Sequence, residues 1–216
     1  MKIIFRFFFI FILSLFSIKS FSQEIFKKGS FFVGGDFGLS FYNKDLAYIN
    51  QQTFSNYELD NALRFSLLPK INYGVLENTF ITGHLGLDYS NYKRQTDGLS
   101  LVGTNYKIGG GLKYYFIQII ESIYLSSELG MSYNYYRIKQ RNLPQEKQNQ
   151  NYISAYFDVN IDLDLGERWL FSITFKDLIV YNSQTPNPKH EKGMKFNNIF
   201  KDFIRYPHFS VFYKFL

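Results

Sequence analysis

The sequence predicts an all-β fold, an eight-stranded antiparallel up-and-down barrel. Three observations lead to this prediction. Apolar and polar residues alternate with a period of two over eight separate segments, the pattern of strands that have one apolar and one polar face. The intervals between these segments are alternately short and long. The last segment, residues 209–216, is rich in aromatic residues up to Phe215, as expected for a strand that pairs with the first one and closes the barrel.

The first four strands are predicted at residues 30–42, 63–75, 79–89 and 105–116. Pro69 lies within the second strand, and because proline has no N–H, we expect a bulge or a missing ladder hydrogen bond there. Residues 109–111 are three consecutive glycines inside the fourth strand. No Lys-Ser/Thr pair follows them, so they are interpreted as a place where the sheet bends, and not as a phosphate-binding loop.

The remaining strands are predicted at residues 123–135, 153–165, 169–175 and 209–216, and the seventh could continue further. The connections after the second, fourth and sixth strands are a few residues long. The other connections, residues 43–60, 91–104, 140–150 and 182–206, run from about eleven to more than twenty residues. Short turns at one end and long loops at the other are typical of transmembrane barrels.

The alternation alone does not decide which face looks inward, because a soluble ligand-binding barrel has the same period. The small volume of the barrel interior favours an apolar face that points outward. An eight-stranded barrel has an interior just wide enough for its side chains, and Phe, Tyr, Leu and Ile dominate the apolar face of nearly every strand. The other face is rich in Gly, Ser, Asp and Lys, which suits a narrow lumen. The expected barrel therefore spans a membrane, with aromatic residues near both ends of the apolar band.

The polar face places thirteen ionisable residues in the predicted lumen. Six acids and six bases would largely neutralise one another, and buried charge is tolerated when it is paired and hydrogen-bonded. The preferred interpretation is a salt-bridged polar core that closes the lumen, and the alternative is an ion path or proton relay. The residues are Asp36, Arg64, Lys70, His84, Asp88, Lys107, Lys113, Glu128, Asp158, Asp162, Asp164, Lys176 and Lys214.

Catalytic, metal and cofactor sites are not expected. The chain has no Cys, and its three histidines, His84, His190 and His208, are far apart in the sequence. His208-Phe-Ser210 is similar to the His-x-Ser motif of the barrel-shaped lipid A deacylases, but Val211 stands where that motif has Asn, and no Glu partner follows. His84 is interpreted as a hydrogen-bonding lumen residue near Asp88.

The N-terminus predicts export. Lys2 and Arg6 flank an apolar run over residues 7–16, and small residues follow at 20 and 22, the pattern of a secretory signal peptide spanning residues 1–22. The mature domain would then span residues 23–216. The formal net charge is +6, and three of the basic residues lie in the first twenty, so 21 bases and 18 acids remain afterwards, or +3. No concentrated basic patch is apparent in the sequence, so a nucleic-acid partner is not expected.

The residues 65–70 before a tight turn, 166–169 after one, and the final segment together resemble the outer-membrane β-barrel domain family, the small OmpA/OmpX-type barrels of Gram-negative bacteria. The likeness covers residues 30–216, with Leu216 in place of the usual terminal Phe. It implies an outer-membrane location with both mature termini in the periplasm. It also implies lipid contact and insertion by the barrel-assembly machinery, which would recognise Phe209, Val211, Tyr213 and Phe215.

The expected function is non-enzymatic. A structural or surface-interaction role through four mobile loops, with a sealed lumen and a still unknown loop-binding partner, is preferred. A narrow porin-like channel for ions or small solutes is the first alternative. A lipid-modifying barrel enzyme and an accessory barrel of a secretion system are further alternatives, and fold alone does not decide among them.

Overall fold

The computed structural model describes residues 26–43, 61–93, 100–140, 147–166, 168–183, 193–196 and 206–215. These residues form nine antiparallel strands. They are β1 (Phe31–Asn43), β2 (Asn61–Leu76), β3 (Thr79–Lys93), β4 (Ser100–Ile120), β5 (Ile123–Gln140), β6 (Lys147–Asp164), β7 (Trp169–Asn182), β8 (Gly193–Phe196) and β9 (His208–Phe215). No helix in the described part of the chain is long and apolar enough to cross a membrane.

Eight of the strands close into a ring. Consecutive strands pair from β1 to β7, and β9 returns between β7 and β1. On the β1 side, the pairing runs from Phe31 opposite Phe215 to Gly38 opposite His208. On the β7 side, it runs from Trp169 opposite Tyr213 to Thr174 opposite His208. The predicted all-β, antiparallel, up-and-down closed barrel is therefore confirmed.

Several predicted element bounds were wrong. A ninth strand, β8, lies inside the connection predicted for residues 182–206 and pairs only with Ile179–Asn182 of β7 among the described strands. The connections after β3 and β5 are six residues each, 94–99 and 141–146, because both hairpins continue beyond the apolar alternation that marked the predicted strands. The polar residues at these strand ends still pair with the neighbouring strand, but they do not alternate with apolar residues. The alternation therefore predicted strands that are too short.

Pro69 interrupts one ladder without shifting it. The β2–β3 pairs stop at Leu67 opposite Leu87 and resume at Lys70 opposite His84, with the register unchanged. The ladder is therefore interrupted at Pro69, which was one of the two expected outcomes. The other expected outcome, a bulge, does not occur there. A true bulge lies in β7, where three residues, 176–178, stand opposite Asp158 of β6. There Asp177 has a φ of 54°, and its N–H donates to Asp158 Oδ1 at 2.6 Å.

The polarity of the barrel is inverted relative to a soluble protein. The outward face carries large exposed apolar side chains, for example Leu85 at 60%, Leu129 at 62% and Ile71 at 51% exposure. The buried residues of the described strands are mostly polar or charged, and Asp36, Asp158 and Asp162 are each almost completely buried. The described chain therefore has its polar groups inside and its apolar groups outside.

Candidate functional site: the barrel lumen

A network of buried charges crosses the middle of the lumen. Lys70 on β2 forms ion pairs with Asp36 on β1 at 2.8 Å and with Glu128 on β5 at 3.1 Å. Glu128 also accepts hydrogen bonds from Thr82 Oγ1 at 3.0 Å and from Tyr156 Oη at 2.8 Å. Because β2 and β5 lie on different sides of the ring, the Lys70–Glu128 contact spans the interior. These residues form the centre of what we call the polar network.

A second part of the polar network lies nearer the short turns. Lys113 Nζ lies 2.8 Å from Asp162 Oδ1, and the same carboxylate accepts hydrogen bonds from Ser126 and Ser172. Lys214 lies 2.7 Å from Asp164 Oδ1 and donates to the Gly166 carbonyl at 2.6 Å. Towards the loop end, Lys107 pairs with Asp88 at 2.5 Å. Four lysines thus form ion pairs with five of the six predicted lumen acids, and Lys70 is shared by two of them.

The other predicted lumen residues have different surroundings. Asp158 accepts the Asp177 N–H at the β7 bulge, and none of the ion pairs of the described residues includes it. The Nζ of Lys176 and the Nδ1 of His84 are buried without a hydrogen-bond partner in the described structure. Asp88 is bonded by Ser66, Asn105 and Lys107, and His84 is not among its partners. His84 is buried on the inward face, and its predicted role as a hydrogen-bonding lumen residue stays a prediction.

Arg64 lies at the loop end of the lumen. Its Nε donates to Tyr92 Oη at 3.0 Å, and its guanidinium lies 5.9 Å from the Tyr92 ring centre and 5.6 Å from that of Tyr206. Burial raises the pKa of Tyr206, which precedes β9, because a phenolate would be poorly solvated there. A neutral Tyr206 and a charged Arg64 thus meet in a cation–π contact at the loop end.

A cluster of buried side chains, which we call the aromatic plug, lies in the lumen at the short-turn end. It consists of Phe26, Phe32, Phe80, Tyr115, Tyr124, Leu170 and Phe212, all buried and in one cluster. Phe26 precedes β1 and lies at the centre of the plug, with ring-centre distances of 4.4 Å to Tyr115 and 5.4 Å to Phe32. Its carbonyl accepts the Asn78 N–H at 3.1 Å, which ties it to the β2–β3 turn. The plug and the polar network touch where Lys113 Nζ lies 4.9 Å from the Tyr115 ring centre.

Sequence reasoning missed the aromatic plug. A uniformly polar lumen was expected, but its short-turn end is apolar. The available signal was a set of aromatic residues on the inward phase near the turns, such as Phe32, Phe80 and Tyr115. Phe26 had no such signal, because it lies outside any strand and therefore has no period.

The side chains of His208 and Ser210 contact different partners in the lumen. Ser210 Oγ donates to Asp36 Oδ1 at 2.6 Å and lies 3.3 Å from Thr174 Oγ1. The His208 ring instead contacts Tyr206, with ring centres 4.5 Å apart. Since Ser210 bonds to Asp36 and His208 faces Tyr206, the His-x-Ser pair has no base–nucleophile hydrogen bond. The described residues contain no group of three or more His or acidic side chains that could hold a metal ion.

The final strand has its predicted apolar face on the outside. Val211 and Phe215 are exposed, and Phe209 and Tyr213 are partly exposed. Tyr213 packs edge-on against Trp169 with ring centres 5.2 Å apart, and against Phe215 at 4.9 Å. Phe209 stacks with Phe171 of β7 at 6.0 Å. These contacts form an aromatic outer surface over β7 and β9, where the barrel closes.

Comparison with solved structures finds small outer-membrane proteins. Ail, the attachment invasion locus protein of Yersinia pestis, solved with the heparin analogue sucrose octasulfate, is 10% identical and covers 88% of this chain and 100% of its own, with a TM-score of 0.43. Neisserial surface protein A is 12% identical, with coverages of 87% and 97% and a TM-score of 0.46. The outer membrane protein OprG from Pseudomonas aeruginosa is 12% identical, with coverages of 90% and 99% and a TM-score of 0.44.

No protein-family model matches the sequence, and no curated protein matches it. The structural neighbours are thus outer-membrane proteins of low sequence identity. The barrel assignment of this chain rests on its own strand pairing and on the polarity of its two faces.

Proposed function

We propose that the protein is an integral outer-membrane β-barrel of a Gram-negative bacterium, without enzymatic activity and with a closed lumen. The single observation that carries this proposal is the inverted polarity of the barrel. Exposed apolar side chains surround a ring whose buried residues are mostly polar, and a lipid environment stabilises this arrangement. In water, so extensive an exposed apolar surface would promote association.

The interior supports a closed barrel. The polar network crosses the middle of the lumen through Lys70 and Glu128, and the aromatic plug fills the short-turn end. An ion would have to separate buried charge pairs and pass a cluster of packed rings. Breaking a buried pair costs about 3–5 kcal/mol, so the closed state is favoured. The role of the barrel would then lie in envelope structure or in surface contacts at the loop end.

The direction of the barrel follows from its ends. Phe26 and Phe215 lie at the same end as the short turns at residues 77–78 and 121–122. In outer-membrane barrels the short turns face the periplasm, so both mature termini would lie there. The expected signal peptide, residues 1–22, lies outside the described residues. Its removal during export and recognition of β9 by the barrel-assembly machinery are parts of this proposal.

A narrow channel is the second candidate, favoured by one observation. Both amide atoms of Asn72 and Nδ1 of His84 and of His208 are buried in the lumen without a hydrogen-bond partner among the described residues. Buried polar groups of this kind ordinarily bind water, so part of the lumen would be hydrated. Hydration at separate positions in the lumen is compatible with a closed barrel, whereas a channel needs a continuous path.

The membrane assignment can be tested by refolding residues 23–216 into phosphatidylcholine vesicles. We expect a compact form that migrates differently in gels before and after boiling, together with burial of Trp169 in lipid, measured by quenching with brominated lipid. Trp169 is the single Trp of the chain and is 48% exposed on the outer face. A chain that folds in buffer without lipid or detergent, and leaves Trp169 unquenched, would contradict the assignment.

A further inference from the structure

The outer face of β3–β5 changes from aromatic to basic near the loop end. Tyr106 of β4 is paired with Tyr135 of β5, and their rings stack with centres 6.3 Å apart. The next two outward positions of β5 are Arg137 and Lys139, and the last residue of β3 is Lys93. We call Lys93, Arg137 and Lys139 the basic patch.

The members of the basic patch lie close together. Arg137 stands opposite Thr104 of β4, and Lys139 stands opposite Val102. Lys93 stands opposite Ser100 on the other side of β4, so one uncharged strand separates the cations. With strands about 4.8 Å apart, β3 and β5 are about 10 Å from each other, and with the offset along β4 the Cα of Lys93 is about 12 Å from that of Lys139 and about 17 Å from that of Arg137. One headgroup with two phosphates is large enough to reach cations at this spacing.

Counter-charges are missing from this face of the described strands. The outward positions of β2–β6 carry no Asp or Glu along their whole length. None of the ion pairs of the described residues includes a member of the basic patch, and the Nε of Arg137 is buried without a hydrogen-bond partner. The two hairpin connections, residues 94–99 and 141–146, contribute two Arg and two acids in sequence, so they leave the excess of positive charge unchanged.

The basic patch lies at the level of lipid headgroups. From Leu125 to Tyr135, the outward face of β5 carries no charged residue over ten residue steps. At about 3.4 Å per residue and a strand tilt of about 40°, these steps rise about 25 Å, the height of the apolar band of outer-membrane barrels. Arg137 is the next outward residue, and Lys139 follows it.

We propose that the basic patch binds the phosphate groups of a phosphorylated glycolipid in the outer leaflet, an inference that rests on the proposed membrane location. An arginine fork binds phosphate oxygens in pairs, and lysines add point charges beside it. The tyrosines below would contact the adjoining acyl chains and sugar edges, as amphipathic rings do at membrane interfaces. The basic patch would bind lipid beside β3–β5, so this side of the barrel would differ from the others in its lipid contacts.

The experiment compares two triple variants with equal loss of charge. K93Q/R137Q/K139Q removes the basic patch, and K27Q/K28Q/R168Q removes three exposed bases at the short-turn end. Each protein is refolded into nanodiscs of phosphatidylcholine with lipid A or with dephosphorylated lipid A. Retention of the glycolipid after detergent extraction is measured by native mass spectrometry. Inorganic phosphate is added as a competitor to distinguish a lipid headgroup site from a site for free anions.

The wild type and the short-turn variant should retain lipid A, and K93Q/R137Q/K139Q should retain at least about tenfold less. Dephosphorylated lipid A should be retained poorly by all three proteins. Equal retention by the two variants, equal retention of the two lipids, or release by millimolar inorganic phosphate would overturn the proposal. If the triple variant does not refold, K93Q/K139Q, which changes only exposed side chains, is compared with K27Q/K28Q, which loses the same charge. Wild type that does not insert at all would refute the membrane location itself, whereas insertion without lipid preference would refute only the headgroup site.

Discussion

Lys70 Nζ on β2 lies 3.1 Å from Glu128 Oε2 on β5, across the interior of the barrel from its own strand. The same ammonium lies 2.8 Å from Asp36 on β1, so one lysine links three strands through two carboxylates. All three side chains are buried, and their charges are therefore stable only as a set.

Removing one member of this set should destabilise the barrel strongly. Lys70→Met leaves Asp36 and Glu128 buried without their cation, and we expect a loss of about 3–5 kcal/mol in the free energy of unfolding. Urea unfolding in lipid vesicles, followed by Trp169 fluorescence, measures it. The matched control is Lys28→Met, which removes an exposed lysine and should change stability by less than about 0.5 kcal/mol. A loss no greater than the control's would mean that Lys70 contributes no net stability.

The double variant Lys70→Met/Glu128→Gln should lose less than the sum of its single variants, because the second change removes a charge that the first left unpaired. The coupling energy from this cycle, measured by the same unfolding assay, should be about 1–3 kcal/mol. Additive losses would show that the two side chains act independently, despite their 3.1 Å contact.

Phe26 should stabilise the barrel, although it does not belong to a strand. Phe26→Ala removes the ring at the centre of the aromatic plug, and we expect a loss of about 3–5 kcal/mol, as for other buried aromatic residues. Phe26→Leu keeps apolar volume and should lose less, and Lys28→Ala, two residues away and exposed, should lose almost nothing. If Phe26→Ala matches Lys28→Ala in urea unfolding, residue 26 does not pack inside the lumen.

Gly130 allows the Tyr156–Glu128 hydrogen bond. A Cβ at position 130 would overlap the phenol end of Tyr156 and would lie 2.8 Å from the Gly110 carbonyl oxygen. Gly130→Ala should therefore displace Tyr156 and lower stability by about 1–3 kcal/mol. Gly83→Ala is the control, because its nearest contact would be the Ile71 side chain at 3.4 Å on the outer face. Equal unfolding midpoints for the two variants would contradict the close packing of Gly130 in the lumen.

Depth in the bilayer should determine the cost of a charge on the outer face. Leu129 lies near the middle of the apolar band of β5, and Leu129→Arg should cost about 2–4 kcal/mol in vesicles. Thr104→Arg, on β4 opposite Arg137 near the loop end, should cost only about 0–1 kcal/mol. A soluble barrel would tolerate both changes on its exposed face, so equal small effects would contradict the membrane location.

The sequence predicted the barrel because its strands follow a strict physical period. An apolar environment outside and a narrow polar interior impose alternation on the strands of the ring, as in Ile153 to Leu163 of β6. The ends of β3–β6 were less visible, since polar residues beyond the apolar band have no reason to alternate. Strand β8 is four residues long and has no period that could reveal it.

The lumen was predictable in its residue types and not in its contacts. The inward phase predicted Lys70, Glu128 and Asp162 as lumen residues, and all three are buried. Pairing across the ring depends on strand tilt and stagger, about which periodicity gives no information. The bulge at residues 176–178 also shifts the pairing around Asp158. Phe26 could not be predicted as a lumen residue. It lies outside the strands, and its position depends on the hydrogen bond that its carbonyl accepts from Asn78, which no local sequence pattern reveals.

Conductance across a planar bilayer tests the closed barrel most directly. The refolded mature chain, checked for insertion by its shift on boiling in gels, should give no discrete current steps at voltages that reveal open channels in a porin control. The polar network and the aromatic plug predict this silence at neutral pH. Discrete, reproducible steps from the inserted wild type would contradict the closed lumen and would favour the channel.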